Sequence, residues 1–209
     1  MTNIKDKSLQ TYLDELASKT PTPGGGSAAA LMGAQATALV GMVCNLTIGK
    51  PKYAEFEAEM GVLLDRSEAL RERLTGMIKA DVDVFDRLMA CYGMPKETEQ
   101  QKAVRSEAIQ SVLKEATEVP LECARACFET IELCRIAAEK GNTGVISDAG
   151  VAVMSAYAGL KSAALNVYIN VGSLKDKEFA ERKTQELELI LEGTEQAVDD
   201  VYRIVKERL

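Results

Sequence analysis

Two aspartates stand where an apolar pattern would not place a charge. The seam Leu70, Leu74, Met77, Phe85 and Leu88 returns to one side of a helix, and the step missing from it, position 81, is Asp. Asp83 and Asp86 fall off that stripe. Asp148 opens a second pattern, in which Asp148, Ala152, Ser155, Gly159, Ser162, Asn166 and Asn170 share one stripe while Val151, Val153, Met154, Leu160, Leu165 and Ile169 cover other faces. A helix apolar on most sides belongs near the centre of a fold, so its polar stripe faces either a cavity or a close helix partner. An inward carboxylate is unfavourable unless partnered. Asp81 therefore reads as a buried ion pair or helix-end hydrogen bond, or as a carboxylate with a tuned pKa lining a cavity. The sequence has no histidine, so acid–base chemistry near neutrality falls to carboxylates, Lys, Tyr or Cys with shifted pKa values. Ser–His triads and His-ligated metals are excluded.

A third group follows the shared face Leu31, Gln35, Ala38, Met42 and Asn45, because Lys50, Lys52 and Tyr53 come just beyond it. Buried Gln and Asn commonly satisfy neighbouring backbone; alternatively Asn45, Lys50, Lys52 and Tyr53 clamp an anion. Upstream stands PTPGGGSAAALMGAQATALV. Consecutive glycines let backbone N–H groups turn outward and a ligand approach closely, and a helix start favours negative charge. Gly24, Gly25, Gly26 and Ser27 are thus a candidate cradle for an anion or heteroatom, with a tight turn at a helix crossing as the other reading. GxxxxGK[ST] is absent and no strand precedes the glycines, so neither a P-loop nor a dinucleotide fingerprint is present.

The elements that must position these groups are helical throughout, with no convincing alternating strand. Leu9, Tyr12, Leu13 and Leu16 predict a short first helix capped by Ser8. The spacing then predicts helices over about 27–47, 53–91, 98–118, 120–141, 147–171 and 175–208, with Gly61 and Gly76 as possible bends in the third. Pro120 is read as a first-turn proline that opens a new helix. No linker or repeat separates these segments, so the expectation is an all-α, single-domain bundle of six to seven helices spanning 1–209. A chain of 209 residues can bury such a core without staples.

Lys and Arg number 25 against 32 Asp and Glu, a net charge of −7 with no basic run, which speaks against nucleic acid. The five cysteines lie in or near apolar helical stretches with no CxxC, and read as buried thiols in a reducing, cytoplasmic setting. The start MTNIKDKS reads as neither signal peptide nor anchor. The apolar run Ala28–Cys44 is shorter than the roughly 20 residues of a membrane span and is interrupted by Gln35 and Thr37, so a buried helix is expected and no membrane partner.

PTPGGGSAAALMGAQATALVGMVCNLTIGKPKY, then DVDVFDRLMACYGMPK, VPLECA and GNTGVISDAGVAVMSAYAGLKSAALNVYIN, occur in the order of one family. Over roughly residues 7–205 the chain resembles the cyclodeaminase/cyclohydrolase family, which includes the deaminase domain of formiminotransferase-cyclodeaminase and stand-alone methenyltetrahydrofolate cyclohydrolases. The family motif commonly reads Gly-Lys-Lys-Lys-Tyr; here Pro51 replaces the middle lysine, leaving Lys50, Lys52 and Tyr53. The resemblance implies an all-helical homodimer acting on tetrahydrofolate adducts without metal or nucleotide. With no formiminotransferase domain attached, it favours a cyclohydrolase over a deaminase releasing ammonia from 5-formiminotetrahydrofolate. A non-catalytic helical interaction protein is the reading of another class. For the enzyme, the expected site places Asp148 first and Asp81 second as the base facing a cationic amidine, with Lys50 polarising the adduct and Tyr53 and Asn45 orienting it. Asn166 and Asn170 are expected at the pterin edge, Gly24–Ser27 at the pterin or glutamate, Lys52 in the anion clamp and Lys96 at the tail.

Overall fold

The computed structural model describes residues 4–209, and its regular elements are all helical. Seven α-helices follow one another: α1 Leu9–Leu16, α2 Gly25–Asn45, α3 Glu57–Tyr92, α4 Glu99–Lys140, α5 Ile146–Gly172, α6 Lys177–Leu191 and α7 Thr194–Glu207. Ser8 caps α1, its Oγ accepting from the Thr11 N–H. α2 through α5 form a four-helix bundle in which each helix packs against the next and α5 closes against α2. Gly25 of α2 lies at Asn166 of α5, and Ser155 Oγ donates to Met32 O at 2.9 Å, so α2 and α5 run antiparallel. Gly159 permits their close approach, its α-carbon facing the Ala29 carbonyl and the Gly33 N–H. The Asp148 stripe is therefore, along most of its length, a small-residue helix contact.

Two predicted boundaries move, each for a local reason. The helices expected to divide at Pro120 are one 42-residue helix. Pro120 has no N–H to give Ala116, and the Asn170 side chain takes that role, Nδ2 donating to Ala116 O at 2.6 Å. The helix expected over 175–208 is instead divided at Gly193, whose φ of 70° lies in the left-handed region. α3 runs unbroken past Gly61 and Gly76.

The bundle core is drawn from all four long helices, with Ala29, Val40, Leu70, Leu74, Leu133, Ala152 and Leu160 among its buried members. α7 lies across α4 and α5, with Val205 against Gly150. Beyond the bundle, the ends of α3 and α4 form a smaller cluster with Leu174 and Ala180. Four of the five thiols are buried and none is bonded to another.

The face of α2 carrying Gln35, Ala38, Met42 and Asn45 is exposed rather than core-facing. Beside it, α5 exposes Val151, Met154, Leu165 and Ile169, the last two at 69% and 70%. By length and composition α2, at 21 residues, and the segment ending in α5 are each apolar enough to cross a membrane, a test that the buried core helix of a bundle also passes. In the bundle 61% and 44% of those windows are buried, and the remainder includes this exposed apolar face.

Candidate active site

Asp81 reaches from α3 to the first turn of α2. The Ser27 hydroxyl donates to Asp81 Oδ2 at 2.8 Å, with Ile78 O, 3.2 Å away, as its other acceptor. Burial pushes the Asp81 carboxyl above the usual carboxylate range, while the hydroxyl and backbone N–H of Ser27 pull the other way. Gly24, at the N-cap, makes no side-chain cap. Asp81 fills that place from another helix, its charge set against the positive end of α2. The glycines follow from this arrangement. A Cβ on Gly26 would collide with the carboxylate, and one on Gly25 would lie 3.8 Å from the Asn166 amide. Beside them a cavity of about 10 Å³, room for about one water, is lined by Gly26, Asp81, Cys123 and Ala163 among others.

The other end of the bundle holds a second group. After Gly49 and Lys50, a 3-10 turn over Pro51–Phe56 carries Tyr53 inward. The Thr143 N–H donates to Tyr53 Oη at 3.0 Å, Thr143 Oγ1 lies 3.1 Å from it, and Asn142 Oδ1 3.4 Å. Asn142 is tied in turn to Leu46 O and to Thr47 Oγ1. Hydrogen bonds from Thr143, aided by Lys52, bring the Tyr53 phenol down to about 8, and the Lys52 ammonium stands 5.2 Å from the ring centre. Asn45, Lys50 and Lys52 are exposed around it, and Asp148 is half-buried in the first turn of α5.

The structure thus joins Gly24, Gly25, Gly26, Ser27, Asp81 and Asn166 at one end, and Asn45, Lys50, Lys52, Tyr53 and Asp148 at the other. Ala163, which shares Asp81's cavity, is separated from Asp148 by roughly 22 Å of α5 at about 1.5 Å per residue. Asp81 and Asp148 of one chain cannot both touch one small reacting centre. Two of the expected substrate contacts have other placements within the chain. Asn170 gives its N–H to the carbonyl freed by Pro120 and is a helix-bracing residue. Lys96 stands exposed in the turn beyond the end of α3, roughly 16 Å past Asp81 along that helix, away from either group.

Sequence reasoning missed Asn142 and Thr143, whose signal was the GNTG turn between two apolar helices. It also used Tyr12 only for the spacing that predicts the first helix. Its ring joins the main core at 6% exposure, and its hydroxyl is buried without a hydrogen-bond partner. Among the described residues no three Cys, Asp or Glu side chains gather as metal ligands.

The family model of formiminotransferase-cyclodeaminase matches residues 8–189. The chain belongs to this family. It is 55% identical to a methenyltetrahydrofolate cyclohydrolase of Methylorubrum extorquens across 98% of both chains. It is 29% identical to the formimidoyltransferase-cyclodeaminase of Rattus norvegicus over 91% of its own length, and spans 35% of that longer protein. Its fold superposes on the crystal structure of a formiminotetrahydrofolate cyclodeaminase from Thermotoga maritima with a TM-score of 0.83, at 31% identity and covering 99% and 97% of the two chains. Family membership thus joins a cyclohydrolase and cyclodeaminases on one helical scaffold.

Proposed function

We propose that the chain is a methenyltetrahydrofolate cyclohydrolase, an enzyme that hydrolyses the cyclic amidine of 5,10-methenyltetrahydrofolate to 10-formyltetrahydrofolate, reversibly. The 55% identity to a protein of that name, end to end in both chains, carries this reading. The same identity sets aside a merely structural helical partner. The enzyme needs neither metal nor nucleotide, and its free buried thiols suit a reducing cytoplasm.

In the reaction a water oxygen bonds to the amidine carbon and loses a proton. The carbon–N5 bond then breaks as the adduct's hydroxyl gives up its remaining proton to become the formyl oxygen, N5 takes a proton, and the formyl group stays on N10. One proton is released overall. A carboxylate beside the cation both stabilises it and accepts the water's proton, and a phenol or ammonium beside the new oxygen or N5 returns one. Asp148 or Asp81 serves the first role and Tyr53 with Lys50 the second, while Asn45 and Lys52 orient the adduct. Gly24–Ser27 and Asn166 hold the folate.

These groups lie at opposite ends of one chain, so the reading includes a homodimer. A twofold axis lying along the exposed α2 and α5 face, at right angles to the two helices, would bury Met42, Val151, Met154 and Leu165. It would also lay the Asp81 end of one protomer over the Tyr53 and Asp148 end of its partner.

The test follows loss of the ultraviolet band of 5,10-methenyltetrahydrofolate. Wild type should accelerate it, and Asp81→Asn and Asp148→Asn should each lower kcat by about 10²–10⁴. Mixed and allowed to exchange, the two variants should regain about a quarter of wild-type turnover, because half the dimers are mixed and each has one intact site. No recovery on exchange would refute the shared site. The solved cyclodeaminase favours one second reading, ammonia release from 5-formiminotetrahydrofolate; it takes over if the methenyl compound is untouched and the formimino compound yields ammonia.

A further inference from the structure

The turn that joins α4 to α5 is fixed to two other segments through one side chain. Asn142 is buried, and its hydrogen bonds all run within the protein. Nδ2 donates to Leu46 O at 2.8 Å, Oδ1 accepts from the Gly144 N–H at 3.0 Å, and the Asn142 N–H donates to Thr47 Oγ1 at 2.9 Å. The Tyr53 hydroxyl stands 3.4 Å from Oδ1. Thr47 carries the tie into α2, its buried hydroxyl donating to Val43 O at 2.6 Å. Gly141 lets the turn press against that helix, since a Cβ there would collide with Val43.

Each partner adjoins a group of the candidate site. Leu46 follows Asn45, Thr47 stands three residues before Lys50, Tyr53 follows Lys52, and Gly144 stands four residues before Asp148. The bond from the Thr143 N–H to Tyr53 Oη lies one residue past Asn142, so it depends on where Asn142 holds the turn. Of the charges at this end, the Lys52 ammonium stands 5.2 Å from the Tyr53 ring centre and Lys50 is exposed just before that turn. Asp148 is half-buried in the first turn of α5, while Glu59 of α3 and Lys140 of α4 pair with each other.

We infer that Asn142 is a positioning residue, which holds Asn45, Lys52, Tyr53 and Asp148 in register for the reaction and touches neither the substrate nor the reacting atoms. This rests on the placement of those groups in the folate site above.

Two changes loosen the clasp from opposite sides. Asn142→Ala removes its side-chain bonds, whereas Thr47→Val keeps a branched side chain and removes the acceptor of the Asn142 N–H. Both should lower Tm. Well below that Tm, with circular dichroism as in wild type, kcat for 5,10-methenyltetrahydrofolate should fall about 10²-fold with KM little changed. Tyrosinate absorbance gives a reading that needs no substrate. The chain has no Trp, and Thr143 holds the Tyr53 phenol at about 8, whereas Tyr12 and Tyr168 are raised. In Thr47→Val the Tyr53 step should move up toward the ordinary value of about 10, as the Thr143 N–H leaves the oxygen. Thr47→Ser keeps the hydroxyl and should restore both kcat and the step. If Asn142→Ala does not fold, the two Thr47 variants decide the matter. A lower Tm with kcat and the step unchanged would mean a merely structural asparagine and overturns the proposal. So does a shift in either one without the other, or a rise in KM alone. If wild type turns over only the formimino compound, the cyclohydrolase reading fails, and kcat for ammonia release with the same tyrosinate step still decides Asn142.

Discussion

At one end of the bundle a carboxylate from α3 is carried against the start of α2, and burial makes it harder to ionise. At the other a phenol is gathered into a loop by Thr143 and Asn142, and those hydrogen bonds make it easier to ionise, at about 8. The two shifts are opposite in direction. A chain with no histidine thereby holds one acid weakened by desolvation and another strengthened by hydrogen bonding.

The largest effect that would break this comparison belongs to Asp81. Asp81→Asn keeps an acceptor for Ser27 and removes the charge, so kcat should fall about 10²–10⁴ without loss of folding. The sign of its pH dependence follows from the raised pKa. The stability associated with Asp81 is whole below the ordinary carboxylate value of about 3.9 and is lost as pH rises through the higher folded value. At pH 7 the Asn variant should therefore melt at the same temperature or higher, and a lower Tm would mean that the charged form stabilises the fold.

Next in size is Gly26→Ala, which sets a methyl against that carboxylate and should cost about 1–3 kcal/mol in urea unfolding. Unchanged stability there would mean that Asp81 moves freely. Tyr53→Phe leaves the Thr143 N–H without its acceptor, at about 1 kcal/mol. Because the phenol's pKa is depressed, the stability gap between wild type and variant should widen as pH rises from about 8 toward the unfolded value of about 10. The variant should also lose any limb of the rate profile near pH 8; a limb that persists would belong to another group. The smallest effect is a contrast with Gly26. Around Gly76, inside α3, there is open space, so Gly76→Ala should stabilise by about 0.5–1 kcal/mol.

These ends also differ in how far they could be read from the chain. The helices were legible because apolar spacing and caps are local, as with Ser8 and Leu9–Leu16. Asp81 betrayed itself by interrupting a seam. That it would meet Ser27 was not legible, because the contact joins residues 54 apart. The hydrogen bond of Asn170 was not legible for the same reason: its partner is a carbonyl freed by a proline on another helix. The face of Gln35 and Met42 was taken as inward because periodicity identifies a stripe without saying which way it points. The separation of Asp148 from Asp81 emerged only with the antiparallel pairing of α2 and α5.

The capping of α2 by Asp81 also bears on the order of folding. A helix with its own cap can form its first turn as soon as the chain is available, whereas the start of α2 gains its cap only after α3 has docked. The glycine turn should consequently be among the last parts to set, with φ-values near zero at Gly25 and Gly26 while the middle of α2 is already structured. In the native protein it should be among the first to exchange its amide hydrogens, opening and closing without the rest of the bundle coming apart.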